Sequence, residues 1–74
     1  MELNKNDLYK EIGVYPGNRY LEFIGYNRDV RKGPGVNESC AHFWVVYHDP
    51  GKKVYVTKIA IPLYQIDKRI KKVS

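Results

Sequence analysis

Cys40, His42, His48 and Asp49 are the residues of this chain whose types could do nucleophilic or metal chemistry. Cys40 and His42 stand two apart, which on a strand places both side chains on one face, about 7 Å apart. A thiolate nucleophile needs a base within hydrogen-bond reach, and a structural zinc site usually needs four ligands in paired spacings. The chain has one Cys and two His. We therefore expect Cys40 to be a small buried residue, and we predict no metal and no cofactor.

Other catalytic patterns are equally incomplete. Gly33-Pro34-Gly35 lacks the Gly-Lys-Ser/Thr ending of a phosphate-binding loop, so we interpret it as a flexible loop. The carboxylates Glu22, Asp29 and Glu38 fall at separate places, and no spacing rule brings two of them together for acid and base catalysis. The sequence predicts that the protein is not an enzyme and has no small-molecule substrate.

Basic and aromatic residues offer a binding chemistry instead. The net charge is +5 and the pI is about 9.4, which favours weak attraction to polyanions. Proteins that bind single-stranded nucleic acid stack bases on exposed aromatics beside a positively charged groove. The candidates for stacking are Tyr20, Tyr26, Trp44 and Tyr55, and those for phosphate contacts are Arg19, Arg28, Arg31, Lys32, Lys53 and Lys58. The alternative is that these aromatics are core residues and the lysines a solvated surface.

The elements that would position these residues are clearest in residues 41–61, where two β-branched and aromatic runs meet at Asp49-Pro50-Gly51-Lys52. This pattern is typical of a β-hairpin. A four-residue loop predicts the cross-strand pairs His48 with Lys53, Tyr47 with Val54, Val46 with Tyr55, Val45 with Val56 and Trp44 with Thr57. Both faces are then apolar, so the second face must be covered by barrel closure, by a terminal helix or by another copy of the chain.

The remaining elements follow from spacing and turn chemistry. Leu8 and Ile12 lie four apart, so we predict a short helix over residues 5–12, capped by Asn4 or Asn6 and ended by Gly13. A turn at residues 15–18 leads into a strand over residues 20–26, in which Gly25 marks a bulge or bend. Residues 27–40 form a long loop.

The C-terminal segment is basic. Pro62 ends the strand or begins a helix, and the apolar residues Ile66, Ile70 and Val73 recur at helical spacing. The positive charges Lys68, Arg69, Lys71 and Lys72 fill the last turn, where they complement the helix dipole.

Length and composition limit the class of protein. The 74 residues predict one domain, residues 1–74, whose single Cys excludes an intramolecular disulfide. No apolar run approaches the roughly 18 residues of a membrane span, and the first residues lack the apolar stretch of a signal peptide. We therefore expect a soluble, cytoplasmic protein without membrane association.

The order of these elements resembles a known family. The stretch Gly13–Tyr20 is followed by a strand, then by Trp44–Tyr47, then by Val54–Val56 and Pro62-Leu63-Tyr64. Over residues 13–66 this looks like the small SH3-like barrel domains of bacteria and phage, although the long middle loop and the two terminal helices depart from them. The resemblance implies a partly open barrel that acts as a binding module.

The sequence thus predicts a β-rich α+β fold: a small antiparallel sheet or SH3-like barrel with a short N-terminal helix and a basic C-terminal helix. The expected function is non-catalytic binding of a protein partner or of a second copy as a homodimer. The alternative is nucleic-acid binding through the basic loop and exposed aromatics. Higher salt should weaken nucleic-acid binding much more than protein binding.

Overall fold

A computed structural model of the chain describes residues 2–14, 17–29 and 38–73, and for residues 28, 29 and 38 it describes the backbone alone. The described part forms one antiparallel sheet in the strand order β4-β3-β2-β1-β5. The strands are β1 Leu8–Glu11, β2 Arg19–Asp29, β3 Glu38–Asp49, β4 Lys52–Pro62 and β5 Ile70–Lys72. A 3₁₀ turn, Leu63–Gln65, and a single-turn helix α1, Ile66–Arg69, lie between β4 and β5. The prediction of a β-rich fold with a small antiparallel sheet is confirmed.

The β3–β4 hairpin confirms the predicted register near its turn. Gly51 follows Pro50 with a φ of 79°, a conformation that glycine adopts without steric cost. From His48 opposite Lys53 to Val46 opposite Tyr55 every pair is as predicted, whereas Asp49 and Lys52, which had been assigned to the loop, also pair. Val56 is then an extra residue, a β-bulge that shifts the later pairs by one. The predicted pairs of Val45 with Val56 and Trp44 with Thr57 are wrong, and the observed pairs are Val45 with Thr57 and Trp44 with Lys58.

The β2–β3 hairpin is longer than predicted. The expected strand over residues 20–26 runs from Arg19 to Asp29, and residues 27–29 pair with residues 38–40, which had been assigned to a loop. The register shift between Phe23 and Gly25 confirms the predicted bulge. Residues 30–37, with the predicted glycine-rich loop, lie outside the described residues, as do residues 15 and 16 of the predicted turn.

The predicted N-terminal helix over residues 5–12 is wrong. Its centre is β1, which pairs with β2 on one side and with β5 on the other. Tyr9 is fully buried and lies edge-on to Phe43, with ring centroids 6.0 Å apart, whereas Ile12 is exposed. A helix with Leu8 and Ile12 on its buried face would not place Tyr9 in the core. Gly13 has the positive φ expected of it, 77°, but it follows a strand.

The predicted basic C-terminal helix is only partly present. β4 ends at Pro62 as predicted, but α1 has four residues and the chain returns to a strand at Ile70. Ile66 and Ile70 are both buried, so their spacing of four does mark core positions. Ile70 reaches the core because β5 pairs with β1, opposite Glu11.

The core lies on one side of the sheet. Phe43 is at its centre, fully buried, with the rings of Tyr9 and Phe23 both packed edge-on against it. The Asn4 backbone N–H donates to the Tyr9 hydroxyl at 3.0 Å, which fixes the polypeptide before β1 over this core. The buried cluster comprises Leu3, Tyr9, Leu21, Phe23, Ala41, Phe43, Val45, Ile61, Ile66 and Ile70.

Candidate binding surface

A set of aromatic and charged residues occupies the side of the sheet opposite this core. Successive residues of a strand point to opposite faces, so burial of Leu21, Phe43 and Val45 places their neighbours on the other side. Tyr20 and Tyr55 both pair with Val46, which puts the three in one row across β2, β3 and β4. We call this side the outer face; its members are Tyr20, Glu22, Trp44, Val46, His48, Lys53, Tyr55 and Lys58.

The outer face is apolar enough to bury one of its own residues. Val46 is 0% exposed although it points away from the core. Tyr20 and Tyr55 stand beside it on the neighbouring strands, and Trp44 and His48 precede and follow it on the same face of β3. We attribute its burial to these four side chains. The predicted two-sided apolar character of the hairpin is therefore present, and at Val46 the chain itself supplies the cover.

A lysine and a tyrosine both contact the Trp44 ring. The rings of Trp44 and Tyr55 meet edge-on, with centroids 5.7 Å apart and an interplanar angle of 83°. The Lys58 ammonium lies over the Trp44 ring, 4.8 Å from its centroid. Such a cation–π contact contributes about 0.5–1 kcal/mol at an exposed site. Three of the residues predicted for binding thus lie together.

A second ring pair repeats this arrangement on the β1 side. The rings of Tyr20 and His48 are 4.5 Å apart at the centroids and tilted by 37°. The Lys10 ammonium lies 4.7 Å from the centroid of Tyr20. Lys10 and His48 were absent from the predicted binding residues. For Lys10 the reason is that β1 was predicted as a helix, which concealed its position beside Tyr20.

Glu22 is the carboxylate at the centre of the outer face. It accepts a hydrogen bond from the Tyr55 hydroxyl, at 2.9 Å to Oε1, and another from Lys53 Nζ, at 3.2 Å to Oε2. The hydrogen bond to Glu22, together with the negative charge of that carboxylate, raises the pKa of Tyr55, and Lys53 partly opposes this effect. The three residues link β2 to β4 across β3, so they hold the outer face in one arrangement.

Strand β4 lies at one end of the strand order and forms an edge of the sheet. All of residues 52–58 are exposed. Three apolar side chains stand in the middle of this run, with exposures of 38% for Val54, 47% for Tyr55 and 57% for Val56. We call residues 52–58 the β4 edge segment. Of the covers predicted for the hairpin, neither barrel closure nor a terminal helix lies over these apolar residues among the described parts of the chain.

The other predicted binding residues are placed differently. Arg19 forms an ion pair with Glu11, on the core side of β2. Tyr26 packs edge-on against Phe23, with ring centroids 4.9 Å apart. Arg28 lies in β2 opposite Ser39 and its side chain is outside the description, while Arg31 and Lys32 lie outside the described residues altogether. The sheet therefore gathers Tyr20, Trp44, Lys53, Tyr55 and Lys58 on one face and places Arg19 and Tyr26 on the other.

A separate apolar pocket lies near the 3₁₀ turn. It has a volume of about 330 Å³ and is lined by Leu3, Tyr26, Leu63, Ile66 and Asp67. Tyr26 is 56% exposed there. This pocket involves the opposite end of β2 from the Tyr20 row and does not include the β4 edge segment.

The residues considered for nucleophilic or metal chemistry all lie in β3. Cys40 is buried, as predicted. The Nε2 atoms of His42 and His48 are buried without a hydrogen-bond partner among the described residues. Within residues 2–14, 17–29 and 38–73, no group of three or more potential ligands is placed to hold a metal ion.

The fold and the surface define a small β domain built on a single five-stranded antiparallel sheet, with an aromatic and basic outer face and an apolar edge. Comparison with known proteins adds no relative: no protein-family model, no curated protein and no solved structure matches the chain. Neither helical segment in the described part of the chain has the length and hydropathy needed to cross a membrane.

Proposed function

We propose that this protein is a small, non-catalytic binding module that engages a protein partner through the β4 edge segment. The observation that carries the proposal is the exposure of Val54, Tyr55 and Val56 on β4, which is an edge strand of the sheet that the described residues form. An edge strand presents free backbone N–H and C=O groups to any chain that can add a further strand. Aromatic and β-branched side chains beside those groups supply apolar contacts for that strand.

A second copy of the chain suits this edge poorly. If two copies of β4 paired antiparallel about Tyr55, the bulge at Val56 would place Lys53 of each copy opposite Lys58 of the other, and like charges directly opposite are destabilising. The bulge at Val56 also interrupts regular pairing. Lysines and bulges at edges are typical protections against association of identical sheets. The geometry therefore favours a different protein over the homodimer considered from sequence.

The same proposal includes a finer fold, an SH3-like, partly open barrel. The strand order β4-β3-β2-β1-β5 and the 3₁₀ turn before β5 support it. The two terminal helices predicted from sequence departed from the family's order of elements. In the structure the first is replaced by a strand and the second is a single turn, so the chain departs less from that order.

A second candidate function is binding of single-stranded nucleic acid on the outer face. The observation that favours it is the pair of lysines, Lys10 and Lys58, lying over the rings of Tyr20 and Trp44. A base could stack on each ring while the displaced ammonium contacts a phosphate. Such binding would weaken steeply with salt.

The test compares capture of partners by the full chain and two matched variants. Val56→Glu places a charge on the β4 edge segment, and Val73→Glu makes the same change at another exposed valine, after β5. We expect nuclease-treated extracts at high salt to yield a partner protein that Val56→Glu loses and Val73→Glu retains. Identical capture by all three proteins would contradict the proposal. Binding of a mixed-sequence oligonucleotide that is lost at high salt would support the second candidate instead.

A further inference from the structure

The β4 edge segment carries a charge pattern that selects among protein partners. Lys52 and Lys53 precede its apolar centre and Lys58 follows it, and all three are exposed. A strand laid along this edge meets positive charge at both ends and apolar side chains between them. Opposite charges on neighbouring strands stabilise their pairing, whereas like charges oppose it.

The side chains of this segment divide between the two faces of the sheet. Tyr55 pairs with Val46 and Lys58 pairs with Trp44, so both belong to the outer face, as does Lys53 opposite His48. Val54 points to the other face, opposite Tyr47. On the outer face the segment therefore presents the order lysine, tyrosine, lysine.

We infer that the partner is an extended peptide segment with an apolar residue at its centre and a carboxylate two positions to either side, added as a strand to β4. The apolar residue lies beside Tyr55, and the two carboxylates lie beside Lys53 and Lys58. This inference rests on the proposed function, because it names the chemistry of the strand that the same edge receives.

The two lysines contribute unequally. Lys53 already shares the Glu22 carboxylate with Tyr55, so its charge is partly compensated before any partner binds. The Lys58 ammonium lies over the Trp44 ring and can turn from it toward a carboxylate. Each cross-strand ion pair changes affinity about two- to five-fold, and Lys58 lies at the upper end.

The β4 edge segment sets the length of the partner, and the bulge sets its register. A strand rises about 3.4 Å per residue, so a partner of about seven residues spans this segment. Val56 is an extra residue in β4, so one position of a paired strand corresponds to Val56 and Thr57 together. A carboxylate two positions from the residue beside Tyr55 therefore lies beside Lys58, although Lys58 is three residues from Tyr55.

The test uses the full chain, labelled for nuclear magnetic resonance, and three blocked peptides of seven residues. The first is Thr-Glu-Val-Val-Val-Glu-Thr, the second replaces both Glu by Lys, and the third is the first with Pro in place of the central Val. We expect the first peptide to shift the amide signals of residues 52–58 and to bind at least four-fold more tightly than the second. The third should not bind, because Pro cannot pair along a strand.

Charge variants then test which lysines cause the preference for the acidic peptide. Lys53→Gln with Lys58→Gln should remove the preference for the acidic peptide, whereas Lys68→Gln with Lys71→Gln, which lowers the net charge equally, should preserve it. Equal binding of the acidic and basic peptides at β4 would overturn the charge inference and leave the edge proposal standing. If no peptide shifts the amide signals of residues 52–58, both the charge inference and the proposed function fail. Shifts confined to the pocket near Leu63, or displacement by an oligonucleotide without any effect of Pro, would also overturn the inference.

Discussion

Phe43 and Trp44 are adjacent in β3 and point to opposite faces, so truncation of each tests the assignment of core and outer face. Phe43 is 0% exposed, and its ring packs against Tyr9 and Phe23. Trp44 is half-buried and contacts Tyr55 and Lys58 on the outer face. We expect Phe43→Ala to destabilise the domain strongly and Trp44→Ala to destabilise it less.

The magnitudes differ because the contacts differ. Truncating a buried Phe costs about 3–5 kcal/mol, since the cavity adds to the lost transfer free energy. For Trp44 the aromatic pair contributes about 0.5–1.5 kcal/mol, the lysine about 0.5–1 kcal/mol and the half-buried ring's apolar area about 1 kcal/mol, which gives a loss of about 2–3.5 kcal/mol. A chain of 74 residues has an unfolding free energy of about 4–11 kcal/mol. Trp44→Ala therefore removes a smaller part of this free energy of unfolding than Phe43→Ala does.

Urea unfolding followed by far-ultraviolet circular dichroism measures both losses, and it does not depend on tryptophan emission. The two variants should share the slope of the wild-type protein and differ in midpoint, because the surface exposed on unfolding is nearly unchanged. If Trp44→Ala costs as much as Phe43→Ala, then Trp44 is a core residue. The outer face would then not be a binding surface.

Two further predictions concern the outer face and the hairpin turn. Glu22→Gln should return the pKa of Tyr55 from its raised value toward the ordinary value of about 10, measured by absorbance of tyrosinate. The folded state holds the Tyr55 proton more tightly than the unfolded state does, so this interaction stabilises the fold below about pH 10 and is lost as pH rises through the raised pKa. Above that pH, the urea midpoint of the wild-type protein should therefore fall more than the midpoint of Glu22→Gln. Gly51→Ala should cost about 1–2 kcal/mol, since a φ of 79° strains any residue with a Cβ, whereas Gly25→Ala, where an added Cβ meets no atom within 4 Å, should cost less. Equal losses at the two glycines would contradict the turn argument.

Local patterns predicted the parts of the fold that depend on neighbouring residues. The turn at Pro50 and Gly51, the register up to Tyr55 and the bulge near Gly25 all follow from side-chain chemistry within a few positions. The bulge at Val56 has no comparable signal, because no glycine marks it. It moved Lys58 opposite Trp44 and so created the lysine–ring contact that the predicted register would have excluded.

The ends of the chain could not be predicted in this way. β1 is four residues long, and its strand conformation depends on pairing with β2 and with β5. Leu8 and Ile12 fit a helical spacing equally well over so short a segment. At the other end, Ile66 and Ile70 were recognised as apolar positions, but a spacing of four does not reveal that a strand begins between them.

Five of the eight members of the outer face had been named as binding candidates from the sequence. Tyr20, Trp44, Lys53, Tyr55 and Lys58 were chosen by residue type, and alternation along the strands brings them together. Lys10 and Glu22 were missed because their roles depend on which strands are neighbours. Arg19 was chosen as a phosphate contact, but the alternation of side chains along β2 places it on the core side, beside Glu11.

The pairing of β1 with β5 governs the order in which the molecule can assemble. Tyr9 lies opposite Lys72, and the ladder is extended by hydrogen bonds from Ile12 N to Arg69 O and from Val73 N to Leu8 O, both 2.8 Å. These contacts join residues separated by almost the whole chain, so they require a large loop closure and form late. During synthesis β1 is made before the other four strands of the sheet, whereas its partner β5 is made after them. Until then Tyr9 lacks part of its final environment, and the two local hairpins, β2–β3 and β3–β4, are the structures available to begin folding.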